Sequence, residues 1–309
     1  MAKERHFTYP SADGKTQIHA VEWMPEGKIT GILQIVHGMQ EYIERYRDFA
    51  CYLADKGILV TGNDLLGHGS SVRSSAQFGY FAAPNGAKTL IADLRHLHRQ
   101  VQERYPKLPY FMMGHSMGSF LARQYLCMYG NYLDGAIISG TAWHNALEAK
   151  AGMFLCRRMA AVKGWKYRSR LINYMTIGNL NKKIDPVRTP QDWLTRDEAV
   201  VDAYRKEPRT QFVFTLNGFY AMFDILNYLT VRKNLCRMPK NLPVFFIAGE
   251  EDPVGNYGTG VKKAAVSMRS VGMKHVQCRL YPNDRHEVLN ELDRENVYLD
   301  VWEWMEKLL

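Results

Sequence analysis

The pentapeptide Gly114-His115-Ser116-Met117-Gly118 is the strongest indication of fold in this chain. It follows the apolar run at 110–113, typical of a buried strand, and precedes an amphipathic helical pattern that continues to Gly130. Gly-x-Ser-x-Gly at a strand-to-helix turn exposes the serine hydroxyl, while the two glycines allow neighbouring backbone to approach without a Cβ clash. This context predicts that Ser116 is a nucleophile, and it argues against an ordinary turn serine.

Short apolar runs alternate with segments of helical periodicity on both sides of this turn. Strands are predicted at 32–36, 58–61, 135–139, 242–247 and 278–282, and helices at 42–56 and 90–105. Such alternation requires right-handed crossovers, so it predicts an α/β protein with a mostly parallel central sheet covered by helices on both faces. The segment around 23–27 indicates an antiparallel hairpin before this core.

The strand rhythm stops after residue 142. From about 143 to 209 the pattern is helical, rich in basic and aromatic residues and free of strand-like runs. We therefore expect a helical cap at 143–212, inserted between the two parts of the core at 1–142 and 213–309. Residues 141–210 hold 14 Lys or Arg against 7 Asp or Glu, which is most of the net charge of +9. This bias indicates a solvated face, and it also suits anionic ligands or membrane surfaces.

An acidic residue and a histidine are expected to follow the serine in that order. A predicted strand ends in a turn with three carboxylates, Glu250, Glu251 and Asp252. Asp252 precedes a proline, which holds it in an extended conformation suited to orienting a histidine. Asp252 is therefore the favoured acid, with Glu250 and Glu251 as competing candidates.

The predicted base is His286, in the loop after the last strand. It would take the Ser116 proton and return it to the leaving group, while the acid fixes its tautomer. The oxyanion formed on the attacked carbonyl needs two donors, and the backbone N–H groups of Met117 and Met39 are expected to provide them. Gly38 permits the turn before Met39, and His37 is interpreted as structural.

Three further features of the sequence limit the class of protein. The five cysteines are scattered and none forms a Cys-x-x-Cys pair, so neither a disulfide framework nor a zinc site is predicted. No Asp/Glu/His cluster has metal-ligand spacing, no cofactor is expected, and no nucleic-acid motif accompanies the basic charge. Without a secretory signal or a long apolar run, the expected location is the reducing cytoplasm. His68 is expected to be a hydrogen-bonded residue near the site.

Five motifs occur together and in a fixed order along the chain. They lie at residues 35–38, 64–71, 114–118, 249–254 and 281–287. Over about 15–305 the chain resembles the bacterial form of the monoacylglycerol lipase and lysophospholipase group of α/β-hydrolases, also called serine aminopeptidase-type hydrolases. The resemblance implies an α/β-hydrolase fold with a helical cap, and a triad of Ser116, Asp252 and His286. The chain departs from the group at Met39-Gln40, where its lipases typically carry small residues, so a bulkier acyl-side wall and a narrower pocket are expected.

The first hypothesis is therefore a serine hydrolase of lipid-like esters, of monoacylglycerol or lysophospholipid type. The basic cap favours tolerance of anionic head groups. An aminopeptidase or amidase with the same triad is the alternative, but it would need acidic residues near the site to bind an ammonium group. A non-enzymatic binding protein on the same fold is a third hypothesis, and acyl transfer to an alcohol is compatible with the mechanism. The cap helix at 151–159 could make weak peripheral contact with membranes, although packing on the core is the favoured interpretation.

Overall fold

The computed structural model describes residues 2–309. Its eight strands are β1 (Lys3–Pro10), β2 (Gln17–Met24), β3 (Gly31–Val36), β4 (Ile58–Asn63), β5 (Tyr110–His115), β6 (Gly135–Ser139), β7 (Val244–Gly249) and β8 (Val276–Tyr281). They form one sheet in the order β1-β2-β4-β3-β5-β6-β7-β8. The pairs β1–β2 and β2–β4 are antiparallel, and β4–β3–β5–β6–β7–β8 are parallel. The mostly parallel sheet predicted from the sequence is confirmed.

The described helices are α1 (Arg47–Asp55), α2 (Gly86–Arg104), α3 (Met117–Tyr129), α4 (Ala146–Lys163), α5 (Arg170–Ile177), α6 (Glu198–Lys206), α7 (Leu216–Thr230), α8 (Arg232–Leu235), α9 (Thr259–Arg269) and α10 (Arg294–Glu306). The helix predicted at 42–56 divides into a 3-10 turn, Ile43–Tyr46, and α1. The predicted hairpin is β1–β2, and its turn lies at 11–16, before the Pro-Gly segment that suggested it. Within residues 2–309 no helix is long and apolar enough to cross a membrane.

Two hydrophobic cores lie on opposite faces of the sheet, because successive strand residues point to alternate faces. In β5 Met112 joins one core and Met113 the other, and in β7 Phe246 and Ile247 divide in the same way. Helices α2, α3, α7 and α9 cover the first face, and α1 and α10 cover the second. The inner strands are apolar on both sides because both sides are covered.

The 143–212 segment holds α4, α5 and α6 and contains no strand. Asn145 begins α4 with a capping box, in which its side chain accepts from the N–H of Glu148 and the Glu148 carboxylate accepts from the Asn145 N–H. Helix α4 packs against α7, which carries a long buried stripe and joins the first core. Through α4 the segment is therefore joined to the core on the first face of the sheet.

The parallel strands place several loops together at their carboxyl ends. Residues 37–41 follow β3, Ser116 follows β5, residues 140–142 follow β6, Asp252 follows β7 and His286 follows β8. In open α/β sheets this edge is where ligands bind.

Candidate active site

Ser116 lies between the end of β5 and the start of α3 with φ +52° and ψ −121°. A side chain in this region costs about 1–3 kcal/mol, so the surroundings must hold it. The Ser116 N–H donates to the carbonyl of Ser139 at 3.0 Å. A Cβ at Gly118 would overlap the carbonyl oxygen of Val36, which explains the glycine at that position. The sharp turn leaves the Ser116 side chain at the wall of a cavity.

His286 and Asp252 form a buried pair. His286 Nδ1 lies 3.0 Å from Asp252 Oδ1, which also accepts the N–H of Val254 at 2.8 Å. Burial opposes the charged imidazolium, but the Asp252 carboxylate outweighs it and raises the pKa of His286. Because a carboxylate only accepts, Nδ1 carries the hydrogen and Nε2 is left with a free lone pair. The competing acids Glu250 and Glu251 are both exposed.

Two aromatic rings contact the imidazole of His286. The Trp193 ring centroid lies 5.1 Å from it and that of His115 lies 4.7 Å from it. Burial, followed by the nearby His286, lowers the pKa of His115 to about 3, so this second ring stays neutral. A Cβ at Gly140 would come within about 3.1 Å of both imidazoles. His286 is thus oriented by packing as well as by its hydrogen bond.

The two expected oxyanion donors flank Ser116. A Cβ at Gly38 would lie 2.9 Å from the Ser116 Cβ, so the loop that carries Met39 touches the serine. Gly38 donates its N–H to the Glu41 carboxylate, which fixes this loop. Among residues 2–309, the N–H groups of Met39 and Met117 donate to no other group. Both are therefore free to bind an oxyanion, and both residues line the cavity with Ser116 and His286.

Arg45 joins two loops of the site and was not found from the sequence. Its guanidinium donates to Glu41 at 3.0 Å and to both oxygens of Glu287 at 2.7 Å each. It also lies 5.0 Å from the ring centroid of Tyr204 on α6. Although burial raises the pKa of Glu287, the charge of Arg45 outweighs it and lowers that pKa. One buried cation thus connects the Met39 loop, the His286 loop and α6.

Two other histidines of the predicted motifs lie behind the site. His37 is buried, and its Nε2 accepts the N–H of Leu65 at 2.9 Å. His68 has a hydrogen-bond partner on one side of its ring only, where Nδ1 lies 3.4 Å from the carbonyl oxygen of Leu66. Its Nε2 is buried with no hydrogen-bond partner among the described residues, and its ring stacks on Phe81 at 5.5 Å. The aromatic surroundings, which no local motif reveals, give His68 an apolar environment and lower its pKa.

The cavity has a volume of about 600 Å³. Its wall is mostly apolar, and much of it comes from α4, α5 and α7 through residues such as Ala151, Leu155, Ile177, Met222 and Phe223. Among the described residues that line it, none is Lys or Arg. The basic side chains of 143–212 therefore lie outside the cavity, and the expected affinity for anionic head groups has no cation there to support it.

Three carboxylates line the cavity. Glu41 and Glu287 are both paired with Arg45, and Glu148 lies 3.4 Å from His144 Nδ1. No pattern in the sequence indicated that His144 lies near the site. Met39 and Gln40 both line the wall, and Gln40 donates its side-chain amide to the carbonyl of Phe212.

Residues 189–198 are joined by hydrogen bonds and ion pairs to the loop that carries His286. The N–H groups of His286 and Glu287 donate to the carbonyls of Trp193 and Leu194, at 3.3 and 2.7 Å. Arg196 binds Asp284, Glu291 and Asp293 at 2.6, 3.0 and 2.6 Å. Burial, followed by the two neighbouring acids, raises the pKa of Asp284 to about 7. This part of 143–212 therefore forms one polar unit with the His286 loop.

Comparison with known proteins gives matches along most of the chain. Residues 27–293 match the family described as serine aminopeptidase, S33. The monoacylglycerol lipase of Mycolicibacterium smegmatis is 24% identical over 283 residues, covering 92% of this chain and 90% of that protein. A monoglyceride lipase homolog of monkeypox virus is 30% identical over 302 residues, covering 93% and 94%. A thermostable carboxyl esterase from Bacillus coagulans, solved with glycerol, superposes with a TM-score of 0.92 at 28% identity, covering 99% of this chain and 98% of that one.

Proposed function

The chain belongs to the serine aminopeptidase S33 family and is a serine ester hydrolase, and we propose that it cleaves monoesters of lipid-like acyl chains with small neutral alcohols. The observation that carries this proposal is the buried His286–Asp252 pair, which opens on the same apolar cavity as Ser116. The cavity volume lies within the range of small-molecule sites, about 300–1,000 Å³.

In the proposed mechanism His286 Nε2 takes the proton of the Ser116 hydroxyl as its oxygen attacks the ester carbonyl. The N–H groups of Met39 and Met117 bind the oxyanion of the tetrahedral intermediate. His286 then gives the proton to the leaving alcohol, and an acyl-enzyme remains on Ser116. Water, deprotonated by His286, hydrolyses the acyl-enzyme. Asp252 holds the ring orientation and stabilises the imidazolium in both half-reactions.

Residues 143–212 are proposed to form a cap over this site. Its apolar helices α4 and α5 contribute cavity wall suited to an acyl chain, with Leu155 and Ile177 as examples. The absence of Lys and Arg among the described lining residues favours a neutral alcohol, of the monoacylglycerol type, over a phosphorylated head group. The names of the relatives, monoacylglycerol and monoglyceride lipase, agree with this choice.

One observation favours the aminopeptidase alternative. Glu148 lines the cavity, and its carboxylate contacts the N–H of Asn145 and the imidazole of His144, neither of which is a permanent cation. A carboxylate there is the group that an aminopeptidase needs to bind a substrate ammonium. Its side chain is 59% exposed, however, and solvent weakens such an interaction.

The test compares four substrate sets with one enzyme preparation. These are monoacylglycerols of graded chain length, lysophosphatidylcholine, lysophosphatidic acid and aminoacyl p-nitroanilides, with Ser116→Ala as the control for each. We expect kcat/KM to be highest for a monoacylglycerol, and each activity to disappear in the control. A preference for the anilides, lost in Glu148→Gln, would establish the aminopeptidase instead.

A further inference from the structure

A histidine pair lies on the β1–β2 hairpin, on elements that contribute nothing to the cavity wall. His6 Nδ1 and His19 Nε2 are 3.0 Å apart. In the hairpin register His6 is opposite Val21 and His19 is opposite Thr8, so the two histidines are diagonal neighbours on one face. His19 is mostly buried, with 12% of its side chain exposed, and His6 is open to solvent.

The outer nitrogen of His19 is held by Asp64. His19 Nδ1 lies 2.8 Å from Asp64 Oδ2, and that oxygen also accepts the N–H of Ser70 at 2.7 Å. Asp64 Oδ1 accepts the N–H of Ile43 at 2.8 Å. A carboxylate with this many donors is ionised and can only accept, so Nδ1 of His19 carries its hydrogen.

The outer nitrogen of His6 is held in the same way by Glu4. His6 Nε2 lies 2.7 Å from Glu4 Oε1, which also accepts from Arg47 at 2.7 Å. Glu4 Oε2 accepts the indole N–H of Trp23 at 2.9 Å. His6 therefore carries its hydrogen on Nε2. In two neutral rings the facing nitrogens would then both present lone pairs, which repel at 3.0 Å.

A cation between the two nitrogens removes this repulsion. We propose that His6 and His19 bind a divalent transition-metal ion of the zinc type through Nδ1 and Nε2. Two nitrogens on a tetrahedral zinc, each about 2.05 Å from the metal, are about 3.3 Å apart, close to the separation found here. A carboxylate behind each imidazole is the usual outer arrangement of metal-binding histidines.

Two carboxylates lie beside His6. Ligand atoms of Glu4, His6 and Glu44 lie within 4.8 Å of one another, and this group does not include His19. Glu44 Oε2 accepts from Arg209 at 2.6 Å, so the two histidines are the protein ligands of the proposed ion. The exposed side of the site is open to water, which would complete the coordination. Local spacing does not reveal this site, because the hairpin brings together residues 13 positions apart.

The test is titration of the untagged full chain with ZnCl₂ and NiCl₂ by calorimetry at pH 7.5, after treatment with a chelator. We expect one ion per chain and a rise in the unfolding temperature that EDTA reverses. His6→Ala, which changes an exposed position, should weaken binding at least tenfold, as should His19→Ala. The matched control is His275→Ala, another exposed histidine, and it should bind as wild type does.

The rival occupant is a single proton shared by the two rings. In that case neither metal would bind saturably, and the ¹⁵N spectrum of the pair would show one imidazolium at neutral pH. Absence of saturable binding, or binding that survives in the His6→Ala/His19→Ala double variant, overturns the proposal.

Discussion

The loops at the carboxyl edge of the sheet and helices α4 and α5 of the proposed cap both line one cavity, but by different physical means. The edge is built from buried polar groups joined across long sequence distances, such as Arg45 to Glu287 and His286 to Asp252. The helices carry apolar side chains towards solvent as well as towards the cavity. In α4 the side chains of Leu147 and Phe154 are 78% and 65% exposed. A polar network depends on every partner, whereas an apolar wall tolerates exchange. The loops at the sheet edge should therefore determine which reaction is catalysed, and helices α4 and α5 should determine which substrate is preferred.

The largest loss of activity is expected from a substitution in the loops at the carboxyl edge of the sheet. Asp252→Asn removes the charge that holds the His286 tautomer, and kcat should fall by about 10⁴. Glu250→Gln, an exposed carboxylate two residues earlier, should leave kcat near the wild-type value. Initial rates on a p-nitrophenyl ester measure both variants, and unchanged unfolding temperatures exclude misfolding. A large loss of kcat in Glu250→Gln with little loss in Asp252→Asn would assign the role of the acid to Glu250.

Arg45→Met tests whether the edge depends on its buried cation. The substitution leaves Glu41 and Glu287 buried without a counter-ion, and the free energy of unfolding should fall by about 3–5 kcal/mol. Arg99→Met breaks an exposed pair with Glu103, for which about 0–1 kcal/mol is expected. Urea unfolding measures both variants. Similar losses in the two would show that Arg45 does not unite the loops.

Glu287→Gln tests the electrostatics of the base. Burial lowers the pKa of His286, while Asp252, Glu287 and Glu41 raise it, and the net shift is upward. In the proposed mechanism activity requires neutral His286, so kcat/KM should fall as the pH drops through this pKa. Removing the Glu287 charge lowers the pKa, and the acidic limb of the profile should move to lower pH. The limb should stay in place in Glu250→Gln; movement in both variants, or in neither, would contradict this assignment.

Substitutions in the proposed cap are expected to change activity less, and only for some substrates. Leu155 lines the cavity, and its neighbour Phe154 faces solvent. Leu155→Trp should lower kcat/KM for the longest monoacylglycerols about tenfold and leave kcat/KM for short chains unchanged. The larger indole side chain would shorten the space in which the acyl chain binds. Phe154→Trp should change neither. A chain-length profile identical in both variants would remove α4 from the acyl site.

The sequence was sufficient wherever local patterns determine structure. The strand before Ser116, the glycines at 114 and 118 and the acid and histidine loops were all predicted, because periodicity and turn chemistry are short-range properties. The choice of Asp252 over its neighbours rested on one proline. The structure places Asp252 beside His286 and leaves Glu250 and Glu251 in solvent.

The contacts that join distant segments were not predictable in this way. Arg45 and Glu287 are 242 residues apart, and only the meeting of two loops at the sheet edge brings them together. The same holds for Trp193 on His286 and for the aromatic surroundings of His68. The basic composition of 143–212 does not describe the cavity wall, because net charge does not say which side chains face the cavity.

The most direct test of the account is to trap the acyl-enzyme analogue. Wild-type enzyme treated with a fluorophosphonate should gain one adduct, and peptide mass spectrometry should locate it on the Ser116 hydroxyl. Ser116→Ala should remain unlabelled at the same concentration while keeping its unfolding temperature. Stoichiometric labelling of Ser116→Ala, or an adduct on another residue of the wild type, would contradict the assignment of the nucleophile and the mechanism that depends on it.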